Sequence, residues 1–151
     1  MSALETSLTA AHAEVKAEIA RTDNKTGLLL AFIGALLAGV WTVAKDASLP
    51  LAALIVGGAG VALLVGAAGL LLRAVRPNLA GKAVAGFPLW ATLTAEEIRT
   101  RLADDRRGAD IANLSRIALA KFTGLQRAVD LVQAAGVLLV VAAGIGIGGA
   151  L

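Results

Sequence analysis

Residues 47–72 read ASLPLAALIVGGAGVALLVGAAGLLL and contain no Asp, Glu, Lys or Arg over 26 positions. About 20 helical residues cross the ~30 Å hydrocarbon core of a bilayer, so this run is long enough to span a membrane. Two more uncharged runs, residues 26–44 and 131–151, contain 19 and 21 residues. Three such runs in a short chain are atypical of a soluble helical bundle. The sequence therefore predicts an all-α integral membrane protein with three transmembrane helices.

The composition agrees with this fold class and excludes several kinds of chemistry. Hydrophobic residues make up 58% of the chain and charged residues 17%, compared with about 45–50% and 25% in soluble domains. The absence of Cys excludes disulfides and thiolate metal sites. A chain of 151 residues is predicted to form a single domain, 1–151. A signal peptide is not expected, because 25 largely polar residues precede the first uncharged run.

Lysine and arginine predict the orientation of the three spans. Of the 14 Lys and Arg residues, 13 lie before the first span or between the second and the third. The remaining one, Lys45, lies in the turn between the first two spans. The positive-inside rule then places the N-terminus and residues 73–130 in the cytoplasm, and the C-terminus outside.

The N-terminal residues 1–25 predict an amphipathic cytoplasmic helix. Ser2 and Glu5 have the spacing of a capping box, which marks the start of a helix. Apolar residues recur at steps of three and four and share one face: Leu4, Leu8, Ala11, Val15 and Ile19. Since no proline intervenes, the helix is expected to continue into the first span.

A loop and a second helix are predicted between the second and third spans. The loop covers residues 73–93 and contains two prolines, which interrupt helices. Thr94 and Glu97 form another capping box at the start of a helix over residues 94–130. Its apolar stripe runs into the third span without a break. We expect the two long helical extensions to pack together as a cytoplasmic stalk.

No recognisable catalytic or metal site is present in the sequence. His12 is the only histidine, and a lone histidine on a helix is usually solvated. No pair of His and Glu has the spacing of metal ligands, and Ser115 lacks a base in a recognisable arrangement. We therefore predict that the protein is not an enzyme and has no metal or resident cofactor.

Small residues recur at four-residue spacing in two of the spans. Gly58, Ala62 and Gly66 lie in the second span, and Gly144 and Gly148 lie in the third. This spacing lets helix backbones approach closely, either within one chain or between chains. We expect a homo-oligomer, while the pattern alone leaves both arrangements open.

Polar residues near the cytoplasmic ends of the first and third spans form the candidate ligand-binding site: Asp23, Lys25, Asn113, Arg116 and Lys121. They converge if the two cytoplasmic helices pack antiparallel. Cationic groups beside hydrogen-bonding side chains suit an anion such as a nucleotide phosphate or a lipid head group. The alternative is a structural network in which Asp23 pairs with Lys121 or Arg116 and Lys25 reaches lipid phosphates. The net charge of +3 is better explained by the 13 Lys and Arg residues on the predicted cytoplasmic side of the spans than by nucleic-acid binding.

Two segments resemble the Pycsar effector transmembrane family. Residues 16–32, KAEIARTDNKTGLLLAF, resemble the family's motif at the start of its first span. Residues 114–122, LSRIALAKF, resemble its second motif, which leads into the last span. The chain departs at Thr26, where the family usually has Ala, and at Phe122, where Tyr is common. The order of helices and spans also agrees, so the resemblance covers nearly the whole chain.

The resemblance implies a membrane effector of bacterial anti-phage defence in the inner (plasma) membrane. It implies a partner pyrimidine cyclase that makes cyclic UMP or cyclic CMP, and an effector that responds by impairing the membrane. Carried over by position, Asp23, Lys25 and Lys121 are the motif residues. The resemblance leaves open whether they contact the nucleotide or hold the helices together.

Two other classes of protein remain open at this point. One is a constitutive small membrane protein without nucleotide input, such as a plasmid-transfer accessory or a holin-like pore former. The other is a lipid-binding membrane scaffold, for which substitution of Lys25 and Lys121 would weaken binding to anionic lipid.

Overall fold

The computed structural model describes residues 3–75, 89, 91–103 and 105–148, and within them the chain forms four helices. Helix α1 covers Ala3–Ala44, α2 covers Leu51–Val75, α3 covers Ala95–Ala103 and α4 covers Arg107–Gly148. Helices α1, α2 and α4 are long and apolar enough to cross a membrane. The protein is an all-α membrane protein with three candidate spans, as the sequence predicts.

Helices α1 and α4 each join a polar segment and an apolar segment in one unbroken helix of 42 residues. The single helix expected over residues 94–130 is instead two helices. Helix α3 ends at Ala103, and α4 begins at Arg107, just before Gly108. The Asp105 carboxylate accepts a hydrogen bond from the Arg107 backbone N–H at 3.2 Å, which caps the new helix.

The capping box expected at Thr94 and Glu97 is present at the start of α3. The Glu97 carboxylate accepts hydrogen bonds from the Thr94 backbone N–H and hydroxyl, and the Thr94 oxygen accepts one from the Glu97 N–H. The bond from the Thr94 backbone, followed by that from its hydroxyl, lowers the pKa of Glu97. The predicted capping residue Ser2 and residues 76–88 and 90 of the predicted loop 73–93 lie outside the described residues, and residues 73–75 belong to α2 instead of the loop.

The chain divides into two compact units. We call Met1–Arg21 with Arg76–Ala120 the polar unit, and Thr22–Val75 with Lys121–Leu151 the membrane unit.

In the polar unit, Arg107 joins the start of α4 to α1. Its guanidinium forms two hydrogen bonds to the Asp105 carboxylate, both at 2.9 Å. Its remaining Nη1 donates to the Thr9 hydroxyl at 2.8 Å and to the Glu5 carbonyl at 3.4 Å. The two helical extensions are therefore in contact in this unit. The Arg107 side chain and backbone lower the pKa of Asp105 to about 2.

In the membrane unit, α2 packs antiparallel to α4. Residues near the start of α2 face residues near the end of α4, and residues near the end of α2 face residues earlier in α4. A Cβ built on Gly60 would lie 3.2 Å from the Ala135 carbonyl and 3.1 Å from the Leu139 side chain. A Cβ on Gly124 would lie 3.8 Å from Ala74, near the other end. The shared core consists of Ile33, Leu64, Ala67, Leu71, Ala128 and Ala135.

Helices α1 and α4 run in the same direction through the membrane unit. Lys121 contacts Asp23 at one end of the pair. At the other end, an apolar groove is lined by the last turns of α1, up to Ala44, and by Leu139 and Ala142 of α4. Both helices place buried or half-buried residues at alternating steps of three and four, the spacing of a coiled coil.

The small residues of the spans fall into two groups, one that contacts another segment of the chain and one that is exposed. Gly57 and Gly60 face α4, and Gly146 faces Leu49, so these positions serve packing within the chain. By contrast, the predicted small-residue motif Gly58, Ala62 and Gly66 is exposed, and so are Gly144 and Gly148. The packing of the spans into one bundle therefore uses other residues than the predicted motifs.

We predict that Gly60→Val destabilises the bundle and that Gly66→Val does not. A side chain at Gly60 meets the Ala135 backbone, which cannot move aside as a side chain can, whereas a Cβ at Gly66 meets nothing within 4 Å. Overpacking of this kind costs about 1–3 kcal/mol. Thermal unfolding in detergent, followed by circular dichroism, measures the difference. Equal melting temperatures for the two variants would contradict the packing described here.

We predict that Asp105→Asn lowers the melting temperature at neutral pH, because it removes the charged acceptor that holds Arg107. The carboxyl has a pKa of about 2 in the folded protein, below its ordinary value. Its stabilising effect is therefore present above about pH 4 and is lost as the pH falls towards 2. Melting curves of both proteins should converge over that interval. A difference that stays constant down to pH 2 would exclude this carboxylate as its source.

Candidate functional site

A polar layer interrupts the apolar packing where α1 and α4 enter the membrane unit. We use this name for Thr22, Asp23, Thr26 and Lys121. Thr22 and Thr26 are 2% and 3% exposed, and they are the buried polar residues among those described. They occupy two successive core positions of α1, at the point where its sequence changes from polar to apolar.

An ion pair crosses from α1 to α4 in this layer. Lys121 Nζ donates to Asp23 Oδ1 at 2.5 Å. The Lys121 side chain is 21% exposed and the Asp23 side chain 42%, so the pair is only partly shielded from solvent. A pair in such a setting is worth more than a fully exposed one, because competing water and salt are partly excluded.

The two threonines make the layer polar without leaving groups unbonded. The Thr26 hydroxyl donates to the Thr22 carbonyl at 2.8 Å, one helical turn earlier. Among the described residues, no buried side-chain oxygen or nitrogen lacks a hydrogen-bond partner. Polar groups at core positions also fix which residues face each other, since a shifted register would leave a charge facing apolar side chains.

The structure brings together two of the five predicted site residues. Asp23 and Lys121 form the ion pair, and Lys25 lies two residues along α1 with an exposed side chain. Asn113 and Arg116 belong to the polar unit, where Asn113 is half-buried and Arg116 exposed. Antiparallel packing, the condition under which the sequence predicts that these residues converge, is not what α1 and α4 adopt, and Asp23 and Lys121 meet without it. They run parallel, because each leads into a span in the same direction.

The geometry at Lys121 allows another anionic group, such as a phosphate, to replace the Asp23 carboxylate as its partner. A lysine ammonium has three N–H donors, and the Asp23 carboxylate takes one of them. Because the Lys121 side chain keeps part of its surface in solvent, a phosphate can reach it. Lys25, which makes no ion pair with any described residue, supplies a second cation on α1.

The burial of Thr22 and Thr26 was not predicted from the sequence. The signal that finds them is the step of three and four that connects Ile19, Thr22, Thr26 and Leu29. It places the two threonines on the buried face of α1, between apolar residues. Within the described residues, no cluster of three His, Asp or Glu side chains could hold a metal ion.

Comparison with known protein families gives a match over most of the chain. A family model described as the Pycsar effector protein domain matches residues 7–148, which include every residue of the polar layer. Neither the curated proteins nor the solved structures contain a match to the chain.

We predict that Asp23 and Lys121 are energetically coupled across the two helices. In a double-mutant cycle with Asp23→Asn and Lys121→Met, the coupling should be about 1 kcal/mol, measured by unfolding in detergent. The matched control is the exposed pair Lys45 and Asp46, whose atoms are 3.6 Å apart and whose coupling should be close to zero. Equal coupling for the two pairs would show that the polar layer does not stabilise the contact between α1 and α4.

Proposed function

The chain belongs to the Pycsar effector protein family, as a membrane effector of anti-phage defence, and we propose that a cyclic pyrimidine nucleotide activates it. In this proposal a partner pyrimidine cyclase makes cyclic UMP or cyclic CMP during infection. The effector binds the nucleotide and then impairs the bacterial inner membrane. The observation that supports a ligand-controlled switch is the ion pair between Asp23 and Lys121, which connects two membrane-spanning helices.

The polar layer has the chemistry to recognise such a ligand. The cyclic phosphate carries one negative charge and competes with Asp23 for the ammonium of Lys121, with Lys25 as a second cation. The carboxylate of Asp23, released from Lys121, can then accept a hydrogen bond from uracil N3–H or from the cytosine amino group. One ligand therefore replaces a bond between α1 and α4 with bonds to itself.

This exchange would be transmitted to the spans because of where the ion pair lies. Asp23 is three residues before the uncharged run of α1, and Lys121 lies on the unbroken helix α4. A change in the distance between them moves both spans, which then shift or associate. The nucleotide drives this change only to the extent that it binds the activated arrangement more tightly than the resting one.

The proposed orientation brings the polar layer to the compartment where the nucleotide is made. By the positive-inside rule the N-terminus is cytoplasmic and the C-terminus lies outside the inner membrane. Lys45 and Asp46, in the turn after α1, then face the other side. This placement makes Lys45 a suitable control for substitutions of Lys121.

The activity is tested by dye release from liposomes that contain the purified protein. We expect cyclic UMP or cyclic CMP to cause release, and Lys121→Met to abolish the response while Lys45→Met keeps it. Binding of each nucleotide to the same proteins is measured separately by calorimetry. Absence of ligand-dependent release and of binding at saturating nucleotide would refute the proposal. Release without nucleotide would indicate a constitutive pore former instead.

Exchanging the charges of Asp23 and Lys121 distinguishes a role of this pair in ligand binding from a purely structural role. The double variant Asp23→Lys with Lys121→Asp keeps one cation and one anion between the helices, so it should fold with nearly the stability of the unmodified protein. It moves the cation to the other helix, and we expect it to lose at least tenfold in nucleotide affinity. Full recovery of both stability and response would show that the pair only holds the helices together.

Nucleotide-independent binding to anionic liposomes that is lost in the double variant Lys25→Ala with Lys121→Ala would favour the alternative function, a lipid-binding membrane scaffold.

A further inference from the structure

Helix α4 carries two opposite rows of side chains in the membrane unit. The inner row is buried or half-buried and faces α1 and α2: Lys121, Leu125, Ala128, Val132, Ala135, Leu139, Ala142 and Gly146. A second row, here called the outer row, has the same alternating steps of three and four: Gln126, Asp130, Gln133, Val137, Val140, Gly144 and Ile147. Every residue of the outer row is exposed, and Val137, Val140 and Ile147 are 64%, 73% and 69% exposed.

The outer row is polar in its first half. Gln126, Asp130 and Gln133 form no hydrogen bond or ion pair with any side chain that the structure describes. Arg127, one position after Gln126, is also exposed and likewise without a described partner. An amide, a carboxylate and a guanidinium are thus presented together on one side of a helix whose other side is packed.

The neighbouring helices place these polar groups at the depth of the hydrocarbon. Counting residue for residue from the pair Asp23 and Lys121, Asp130 is level with Phe32 and Gln133 with Ala35. Both of these α1 residues lie inside the uncharged run 26–44.

Helix α2 gives the same depth independently. Because Gly124 faces Ala74 and Ala135 faces Gly60, Gln133 is level with residues 62–65 of α2. At 1.5 Å per residue this is about 12–17 Å beyond Arg73, the nearest charge on the described part of α2. Gln133 therefore lies well within a bilayer that accommodates α1 and α2.

A single copy of the chain leaves these groups facing acyl chains. Lipid tails offer no hydrogen-bond partners, so an exposed amide or carboxylate at this depth is unfavourable unless another protein surface meets it. The outer row is complementary to itself. A glutamine amide both donates and accepts, and Arg127 lies one turn from Asp130, so that two parallel copies can pair opposite charges.

We propose that the outer row of α4 binds the outer row of a second copy of this chain within the membrane. Gln133 of one copy bonds to Gln133 of the other, and Arg127 pairs with Asp130 across the contact. Val137, Val140 and Gly144 continue the contact, with the glycine allowing the backbones to come close. This interface goes beyond nucleotide activation and does not depend on it, since it requires only insertion in a bilayer.

Energy transfer between donor- and acceptor-labelled copies in zwitterionic liposomes, without nucleotide, tests the interface. We expect Gln133→Leu to weaken self-association by about three- to tenfold, as for other hydrogen bonds between membrane helices. The matched control is Thr42→Val, which removes an exposed hydroxyl from α1 that already donates to the Ala38 carbonyl at 2.9 Å. Association should be unchanged in this control. Unchanged association in Gln133→Leu, or a monomeric unmodified protein, would overturn the proposal.

A second measurement tests the charge pair between copies. Asp130→Arg and Arg127→Asp each place two like charges on α4 and should associate poorly with themselves. A mixture of the two variants restores opposite charges across the contact and should recover energy transfer. Ion pairs within one helix cannot produce this recovery. A mixture that associates no better than either variant alone would exclude the proposed pairing, and because no ligand is present, either result stands apart from the nucleotide response.

Discussion

The close approach of α2 and α4 is the constraint on which the membrane unit depends. Gly60 has no side chain, so the Ala135 backbone can lie against it, and Leu139 fills the adjoining space. Lipid tails are as apolar as the spans themselves, so tight packing rather than exclusion of water must hold the helices together. This contact fixes the register of the antiparallel pair. The depth of every other residue on α4 follows from it.

The polar layer is the second fixed point of that register. An ion pair and two buried threonines join α1 to α4 where the apolar packing begins. Polar groups at core positions stabilise a helix pair less than apolar ones but determine which residues meet. The same property suits a switch, because a ligand that takes one partner of the pair changes the contact between two spans without breaking either helix.

Helix α4 connects these features, since it has a packed face and an exposed polar face. Its inner row packs on α1 and α2 and begins at Lys121, and its outer row leaves Gln126, Asp130 and Gln133 exposed on the surface of the bundle. The apolar run of α4 starts later than that of α1, at residue 131, although the two helices are level at Asp23 and Lys121. This stagger carries polar side chains of α4 to the depth of apolar ones on α1.

The sequence by itself determined the fold class and the three spans, because length and lack of charge decide whether a helix can cross a bilayer. It also determined the capping box of Thr94 and Glu97 and the membership of the family, since both rest on local residue patterns. The break before Arg107 and the buried positions of Thr22 and Thr26 follow local signals that were not used, the Asp105 cap and the spacing of three and four along α1. The sequence did not determine the pairing of Asp23 with Lys121 in preference to Arg116, or which residues of α1 and α2 lie beside Gln133. Only the tertiary structure decided these two, because they depend on which faces of separate helices meet. Residues about 100 positions apart in the chain come together there by packing that no local pattern encodes.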